Sequence, residues 1–198
     1  MRNSIVILLA SLILIGCGPA KFQIRTSQDK FSDPNAPEVT SGTFNRLSSE
    51  SSRGGVHIDE KGVYIDPFIA FDKVKKQLGF IGFFVNHINH DIESGFRPIK
   101  EIIIITDMGE RVSLKIEDTD SDYKISGWNT VSKQFNTSFS EGGTAYTTVS
   151  DFKKLVRANS IEVKIQGGKL TKTYEKTSIS ETFLPNLRLF YEEVKKYE

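Results

Sequence analysis

The chain has 198 residues with 26 Lys and Arg against 25 Asp and Glu, a formal net charge of +1. This balance does not supply the strongly basic surface that nucleic-acid binding normally requires, so we expect no nucleic-acid partner. Cys17 is the only cysteine, which excludes an intrachain disulfide and a zinc site built from several thiolates. A folded domain in this chain must therefore rest on its apolar core.

The first 17 residues have the pattern of an export signal. Arg2 precedes an apolar run from Ile5 to Ile15, which is shorter than the ~20 residues of a membrane-spanning helix. A basic start, an apolar stretch and small residues before a cleavage point are typical of a signal peptide. Leu14-Ile15-Gly16 stands directly before Cys17, and this arrangement resembles the lipobox of bacterial lipoproteins.

The resemblance to lipoproteins implies how the chain is processed. In that class the peptide bond before the cysteine is cut and the cysteine thiol receives a diacylglyceryl group that holds the mature protein on a membrane, and we expect the same at Cys17. In this class Gly18 after the cysteine, rather than aspartate, implies sorting to the outer membrane in a Gram-negative cell. We therefore expect a protein of the cell envelope whose partners are the membrane, through the lipid on Cys17, and an envelope protein.

Composition divides the remainder of the chain into a tether and a domain. Residues 18–55 contain three prolines, end in a Ser- and Gly-rich run and show little hydrophobic periodicity. We predict a signal peptide at residues 1–16, a lipidated cysteine and flexible tether at 17–55, and a single globular domain at 56–198.

Alternating apolar residues predict the strands of this domain. Val63–Ile65 follows a hairpin turn, and Leu78–Asn89, Lys100–Thr106 and Arg111–Glu117 are expected to form an antiparallel meander. The run Ile102–Ile105 indicates a central strand covered on both faces. Further strands are expected at Val131–Phe139, Ala145–Val149 and Ile161–Ile165, with turns at Gly142-Gly143 and Gly167-Gly168.

Helical spacing predicts two helices near the C-terminus. Phe152, Leu155 and Val156 recur at i, i+3 and i+4, and a longer stripe runs from Leu184 to Val194 with Pro185 in its first turn. We therefore predict an α+β fold, in which an antiparallel meander is covered by a short helix and an amphipathic C-terminal helix.

Two groups of side chains are candidate metal ligands. His87 and His90 would share a face on a helix, but they point to opposite sides of the strand that we expect there. Asp118, Asp120 and Asp122 resemble the start of a calcium loop, although Tyr123 replaces the required glycine. We interpret the first pair as residues at a strand end and the acidic run as a solvated loop, and we expect no cofactor.

The leading hypothesis for function is a non-catalytic binding or structural module on a lipid anchor. The sequence contains none of the nucleophile-elbow, phosphate-loop or dinucleotide motifs that identify common enzymes. One alternative is an apolar-ligand carrier in which Phe80, Phe83 and Phe84 line a cavity. Another is a histidine- or metal-dependent hydrolase that uses His87, His90 or the acidic run.

Overall fold

The computed structural model describes residues 21–27, 38–49, 61–72, 77–89, 92–130 and 134–197. Its ten strands are β1 (Gln23–Ser27), β2 (Glu38–Thr43), β3 (Arg46–Ser49), β4 (Gly62–Asp72), β5 (Gln77–Asn89), β6 (Ile99–Thr106), β7 (Arg111–Asn129), β8 (Gln134–Thr147), β9 (Ile161–Gly167) and β10 (Thr171–Tyr174). Its helices are α1 (Val149–Arg157) and α2 (Phe183–Val194), with short 3-10 helices at Ile92–Ser94, Lys176–Ser178 and Lys195–Tyr197. Within these residues, none of the helices combines the length and the apolar character that crossing a bilayer requires.

All ten strands belong to one antiparallel sheet with the order β1-β2-β4-β5-β8-β7-β6-β9-β10, and β3 pairs with the same edge of β4 as β2. The long strand β7 joins the two halves of this sheet. Its first part, through Lys115, pairs with β6, and from Ile116 onward it pairs with β8. A single strand therefore belongs to both halves and makes the sheet continuous.

The expected α+β class is wrong, because the described part of the chain is predominantly an antiparallel sheet. The expected meander is also wrong in its order. β5 pairs with β4 and β8, and β6 pairs with β7 and β9, so β7 and β8 lie between β5 and β6. The chain leaves β5, passes through the 3-10 helix at Ile92–Ser94 and enters β6, with two strands between β5 and β6 in the sheet.

One face of the sheet, here called the inner face, packs against both helices. Its core combines alternate strand residues such as Ile65, Phe83 and Leu114 with Phe152 and Phe190 from the helices. The isoleucine run of β6 is divided between the two faces. Ile102 and Ile104 are fully buried, whereas Ile105 on the outer face is 46 % exposed. The prediction of burial on both faces is therefore wrong, because the helices cover only the inner face.

The pair Gly142-Gly143 lies inside β8 instead of forming the predicted turn. A Cβ atom on Gly142 would lie 2.3 Å from the carbonyl oxygen of Val85, and one on Gly143 would lie 2.6 Å from that of Glu117. Neighbouring backbones approach too closely here for any side chain. The predicted strands on either side of the pair thus merge into a single strand, while Gly167-Gly168 does turn the chain between β9 and β10.

Part of the predicted tether belongs to the sheet. β1 pairs with β2 from Gln23 to Ser27, and β2 and β3 add to the edge of β4. These short, polar strands carry few apolar residues at period two, which is why composition alone suggested a spacer. The rest of the tether, the signal peptide and Cys17 lie outside the described residues.

The two helices close the inner face as their spacing predicts. α1 begins after Thr148, whose hydroxyl accepts a hydrogen bond from Asp151 N at 3.0 Å, and it buries Phe152 and Leu155. α2 buries its predicted stripe, and the Arg188 side chain donates to the carbonyl oxygens of Val156 and Ala158 at the end of α1.

The end of the chain also contacts its first strands. Asn186 Nδ2 donates to Asn45 Oδ1 at 3.1 Å, and Ser180 N donates to the carbonyl oxygen of Leu47 at 2.7 Å. The Tyr197 hydroxyl donates to a carboxylate oxygen of Glu38 at 3.1 Å. The C-terminal segment thus fastens β2 and β3 to the body of the domain.

Candidate functional site

His87 forms a buried pair with Glu141 on the inner face. The register of β5 and β8 places the two residues directly opposite each other, and His87 Nδ1 lies 3.1 Å from Glu141 Oε1. The side chains are 2 % and 1 % exposed. Burial favours the neutral carboxyl, but hydrogen bonds from His87 and from two backbone amides outweigh it and hold the pKa of Glu141 below its usual value.

Those two amides belong to the segment that connects β5 with β6. Glu141 Oε1 accepts Phe96 N at 2.5 Å, and Oε2 accepts Arg97 N at 2.7 Å. The Phe96 ring packs edge-on against His87 with ring centroids 5.0 Å apart. The β9–β10 turn supports the same segment, because Gly168 N donates to the carbonyl oxygen of Pro98 at 2.9 Å. The carboxylate of Glu141 therefore anchors this connection to the sheet.

A cleft of about 340 Å³ opens beside the buried pair. Its lining comes from the end of β5, the 3-10 helix and the β9–β10 hairpin: His87, Asn89, Glu93, Ser94, Phe96, Leu170 and Lys172. Glu93 at its rim forms ion pairs with Lys169 and with Arg97, the latter at 3.3 Å. The mixture of charged, amide and hydroxyl groups suits a small polar molecule better than an apolar one.

The acidic candidates lie on β7 and not in the predicted loop. Asp118 occupies a bulge with φ +49°, and Asp120 and Asp122 follow on the strand with exposed side chains. His90 lies outside the described residues. In the part of the chain that the structure describes, no three His, Cys, Asp or Glu side chains converge as metal ligands would.

Four aromatic side chains form a cluster on the outer face of the sheet, here called the aromatic face: Phe68, Phe80, Phe84 and Tyr146. Phe68 is 2 % exposed, whereas the other three rings are 44 to 47 % exposed. Phe68 stacks on Phe84 with centroids 4.3 Å apart, and Phe80 meets Tyr146 edge-to-face at 5.6 Å. Gly82 makes room for the cluster, since a Cβ there would lie 2.8 Å from the Phe68 ring.

Two of the three rings that the carrier hypothesis assigned to an apolar cavity belong to the aromatic face. Phe83 points to the inner face and is fully buried, while its neighbours Phe80 and Phe84 point to the outer face. The three rings that the carrier hypothesis assigned to one cavity therefore lie on opposite sides of the sheet.

Asp66 borders the aromatic face in the row of Phe84. Its carboxylate accepts Asn45 N at 2.6 Å. Burial raises the pKa of Asp66 to about 6, although backbone hydrogen bonds from Asn45 and Phe44 favour the ionised form.

Sequence reasoning found His87 but missed both Glu141 and the aromatic face as a surface. Glu141 is 54 residues from His87 in the chain, and only the pairing of β5 with β8 brings them together. For the aromatic face a signal was available, because Phe80 and Phe84 are four residues apart and must share one side of a strand.

None of the family models, curated proteins or solved structures compared with the chain matches it.

Proposed function

We propose that this protein is a lipid-anchored component of the bacterial cell envelope whose domain is a non-catalytic binding module. The aromatic face carries the proposal for the domain. Three half-exposed rings grouped around Phe68 form a contiguous apolar surface, and large surfaces of this kind on soluble domains typically serve interactions. Aromatic side chains are also enriched where proteins bind one another.

The buried pair supports a structural role for the two residues with the most enzyme-like chemistry. Both carboxylate oxygens of Glu141 accept hydrogen bonds from the connecting segment, at Phe96 N and Arg97 N. These hydrogen bonds explain why a carboxylate is buried at this position without assigning it a catalytic role.

The anchor follows from the lipobox resemblance at Leu14–Cys17. Two acyl chains at about 0.8 kcal/mol per buried CH₂ give stable attachment, whereas one chain of myristoyl length binds only marginally. Labelling cells with a fatty-acid analogue tests this directly. We expect label on the wild-type protein and none on Cys17→Ser, and equal labelling of the two would refute the anchor.

A deletion strain tests the binding module. We expect the anchored Phe84→Ser variant, at wild-type abundance, to leave the deletion phenotype uncorrected. Under the same conditions His87→Gln, whose amide can still donate to Glu141, should correct it fully.

The His87–Glu141 pair beside a polar cleft favours a histidine-dependent hydrolase as the second candidate function. The opposite outcome of the complementation experiment, with Phe84→Ser active and His87→Gln inactive, would establish that candidate instead.

A further inference from the structure

The chain enters the sheet close to the proposed lipid anchor. Gln23, the first residue of β1, follows Cys17 by six residues. A polypeptide spans at most about 3.6 Å per residue, so Gln23 lies within about 22 Å of the cysteine whatever conformation the residues between them adopt. A lipid on Cys17 therefore holds β1 near the membrane surface.

The aromatic face lies on the same part of the sheet as β1. Cross-strand pairing aligns Arg25, Ser41 and Phe68 in one row across β1, β2 and β4. Neighbouring strands are about 4.8 Å apart, so the backbone of Phe68 is about 10 Å from that of Arg25. The strand that the anchor holds near the bilayer is thus two strands away from the exposed rings.

Phe44 extends the apolar surface toward the point where the chain enters the sheet. It follows Thr43, which pairs with Gln23, and its side chain is 45 % exposed. The carboxylate of Asp66 accepts a hydrogen bond from the backbone of Phe44, and Asp66 belongs to the row of Phe84. This contact fastens the turn that carries Phe44 to the border of the aromatic face.

The charged side chains around the aromatic face balance one another. The outer face carries four acids and four bases here: Asp66, Glu117, Asp120 and Asp122 with Arg25, Arg46, Lys115 and Lys124. With equal numbers of each sign, this surface has no net attraction for a charged partner. Its binding must therefore depend on burial of the apolar rings.

The surface of a bilayer accommodates rings and mixed charges together. Aromatic side chains are enriched at membrane interfaces, and apolar protein surfaces sink about 5–10 Å into the boundary between headgroups and acyl chains. Lys and Arg side chains extend from such a surface to the headgroups. An anchor also keeps the bilayer at a high effective concentration, so an apolar contact too weak to recruit a free protein suffices for an anchored one.

The opposite side of the domain suits a bilayer less well. The inner face is covered by α2, and exposed ion pairs join Glu192 to Lys195 and Glu193 to Lys196 along this helix and the residues after it. Resting this side on the membrane would bring four charged side chains against the lipid without a comparable group of exposed rings.

We propose that the aromatic face and Phe44 rest on the bilayer that holds the lipid anchor of the same chain. This inference rests on the proposed anchor and binding function, and it names the membrane surface as what the aromatic face binds. The domain then lies with its outer face toward the lipid and its helices directed away from it.

A fluorescent probe next to Phe84 tests this orientation. Cys17 is the only native cysteine, so once its thiol carries lipid a single introduced cysteine can be labelled with nitrobenzoxadiazole. Asn86→Cys places the dye at an exposed position of β5 on the same side as Phe84, and Leu189→Cys places it on α2. The full lipidated chain is studied at one copy per phosphatidylcholine nanodisc, with and without nitroxide-bearing lipid as the quencher.

We expect the nitroxide lipid to reduce the emission by about half at Asn86→Cys and by less than about a tenth at Leu189→Cys, because only the first site would lie at the membrane interface. Raising the salt concentration should leave both values unchanged, since the contact depends on apolar burial. Equal quenching at the two sites, or loss of quenching at Asn86→Cys in high salt, would overturn the proposed contact.

Two substitutions locate the contact. Phe84→Ser and Phe44→Asn, each added to Asn86→Cys, should reduce the quenching at least twofold. Asparagine tolerates the positive φ of 65° at position 44, so this change removes the ring and keeps the turn. Met108→Ser removes an equally exposed apolar side chain from the β6–β7 turn and is the matched control, which should have no effect. Quenching that neither Phe84→Ser nor Phe44→Asn reduces would refute the assignment of these rings.

The proposals can fail separately. If Asn86→Cys is not quenched while Phe84→Ser still abolishes complementation, the aromatic face binds a protein partner instead of the membrane. If Phe84→Ser complements fully, the binding function itself is wrong.

Discussion

Replacing Glu141 with Ala tests whether the buried carboxylate holds the connection between β5 and β6. The substitution removes the acceptor for Phe96 N and Arg97 N and the partner of His87 Nδ1. Each buried donor that loses its acceptor costs about 1–3 kcal/mol, and breaking a buried charged pair costs about 3–5 kcal/mol. The two costs describe the loss of the same carboxylate and are therefore not added together. We expect a loss of about 3–5 kcal/mol in the free energy of unfolding, measured by urea titration at pH 7.

The same variant has a defined pH dependence. The pKa of Glu141 is below 4.5 in the folded state, so its stabilising effect is complete above that value. The effect is lost as the pH falls through the lowered pKa, so the difference in stability between the wild type and Glu141→Ala should shrink as the pH falls below 4.5.

Two measurements would refute this reasoning. Hydrogen exchange at the amides of Phe96 and Arg97 should accelerate in Glu141→Ala, while amides of β9 remain protected relative to global unfolding. Glu162→Ala, at an exposed position, should change stability by less than about 0.5 kcal/mol. A loss below about 1 kcal/mol for Glu141→Ala, or unchanged exchange at the two amides, would show that the carboxylate does not hold the segment.

Three further predictions concern the core, a raised pKa and the N-terminal strands. Phe190→Ala should cost about 3–5 kcal/mol in urea titration because its ring is fully buried, whereas Leu189→Ala, 60 % exposed, should cost under about 1 kcal/mol; similar values would mean that the stripe of α2 is misplaced. The pKa of Asp66 rises from 3.8 to about 6 on folding, which corresponds to about 3 kcal/mol against the ionised form, so Asp66→Asn should stabilise the domain by up to that amount at pH 8 and by nothing near pH 3.5. A chain that begins at residue 56 should lack a cooperative thermal transition, because β1 to β3 are missing from the sheet. A cooperative transition in this shortened chain would instead support the predicted start of the domain at residue 56.

Local patterns predicted many elements but not how they pair. The alternation of Val112, Leu114 and Ile116 correctly indicated a strand, and the spacing from Leu184 to Val194 correctly indicated a helix. Pairing depends on residues distant in the chain, so the sequence offered no signal that β5 and β6 are separated by two strands. Neighbouring segments usually pair, and that preference produced the wrong meander.

The acidic run shows how a neighbouring strand overrides local propensity. Asp residues are depleted in strands, so the segment Asp118–Asp122 indicated a loop. In the structure β8 pairs with it beyond the bulge at Asp118, and the chain stays extended as far as Asn129. Gly142-Gly143 was misread for a related reason, because a glycine required by close backbones looks identical in sequence to one required by a turn.

The contacts of β2 and β3 with residues 180–197 affect the order in which the fold can be completed during synthesis. Asn186 and Tyr197 follow their partners Asn45 and Glu38 by 141 and 159 residues in the chain. A chain that emerges from its N-terminus cannot form these contacts until α2 and the residues after it have been made. During synthesis β2 and β3 therefore remain without the hydrogen bonds that fasten them to the rest of the domain, and we expect them to be the last strands to become stable.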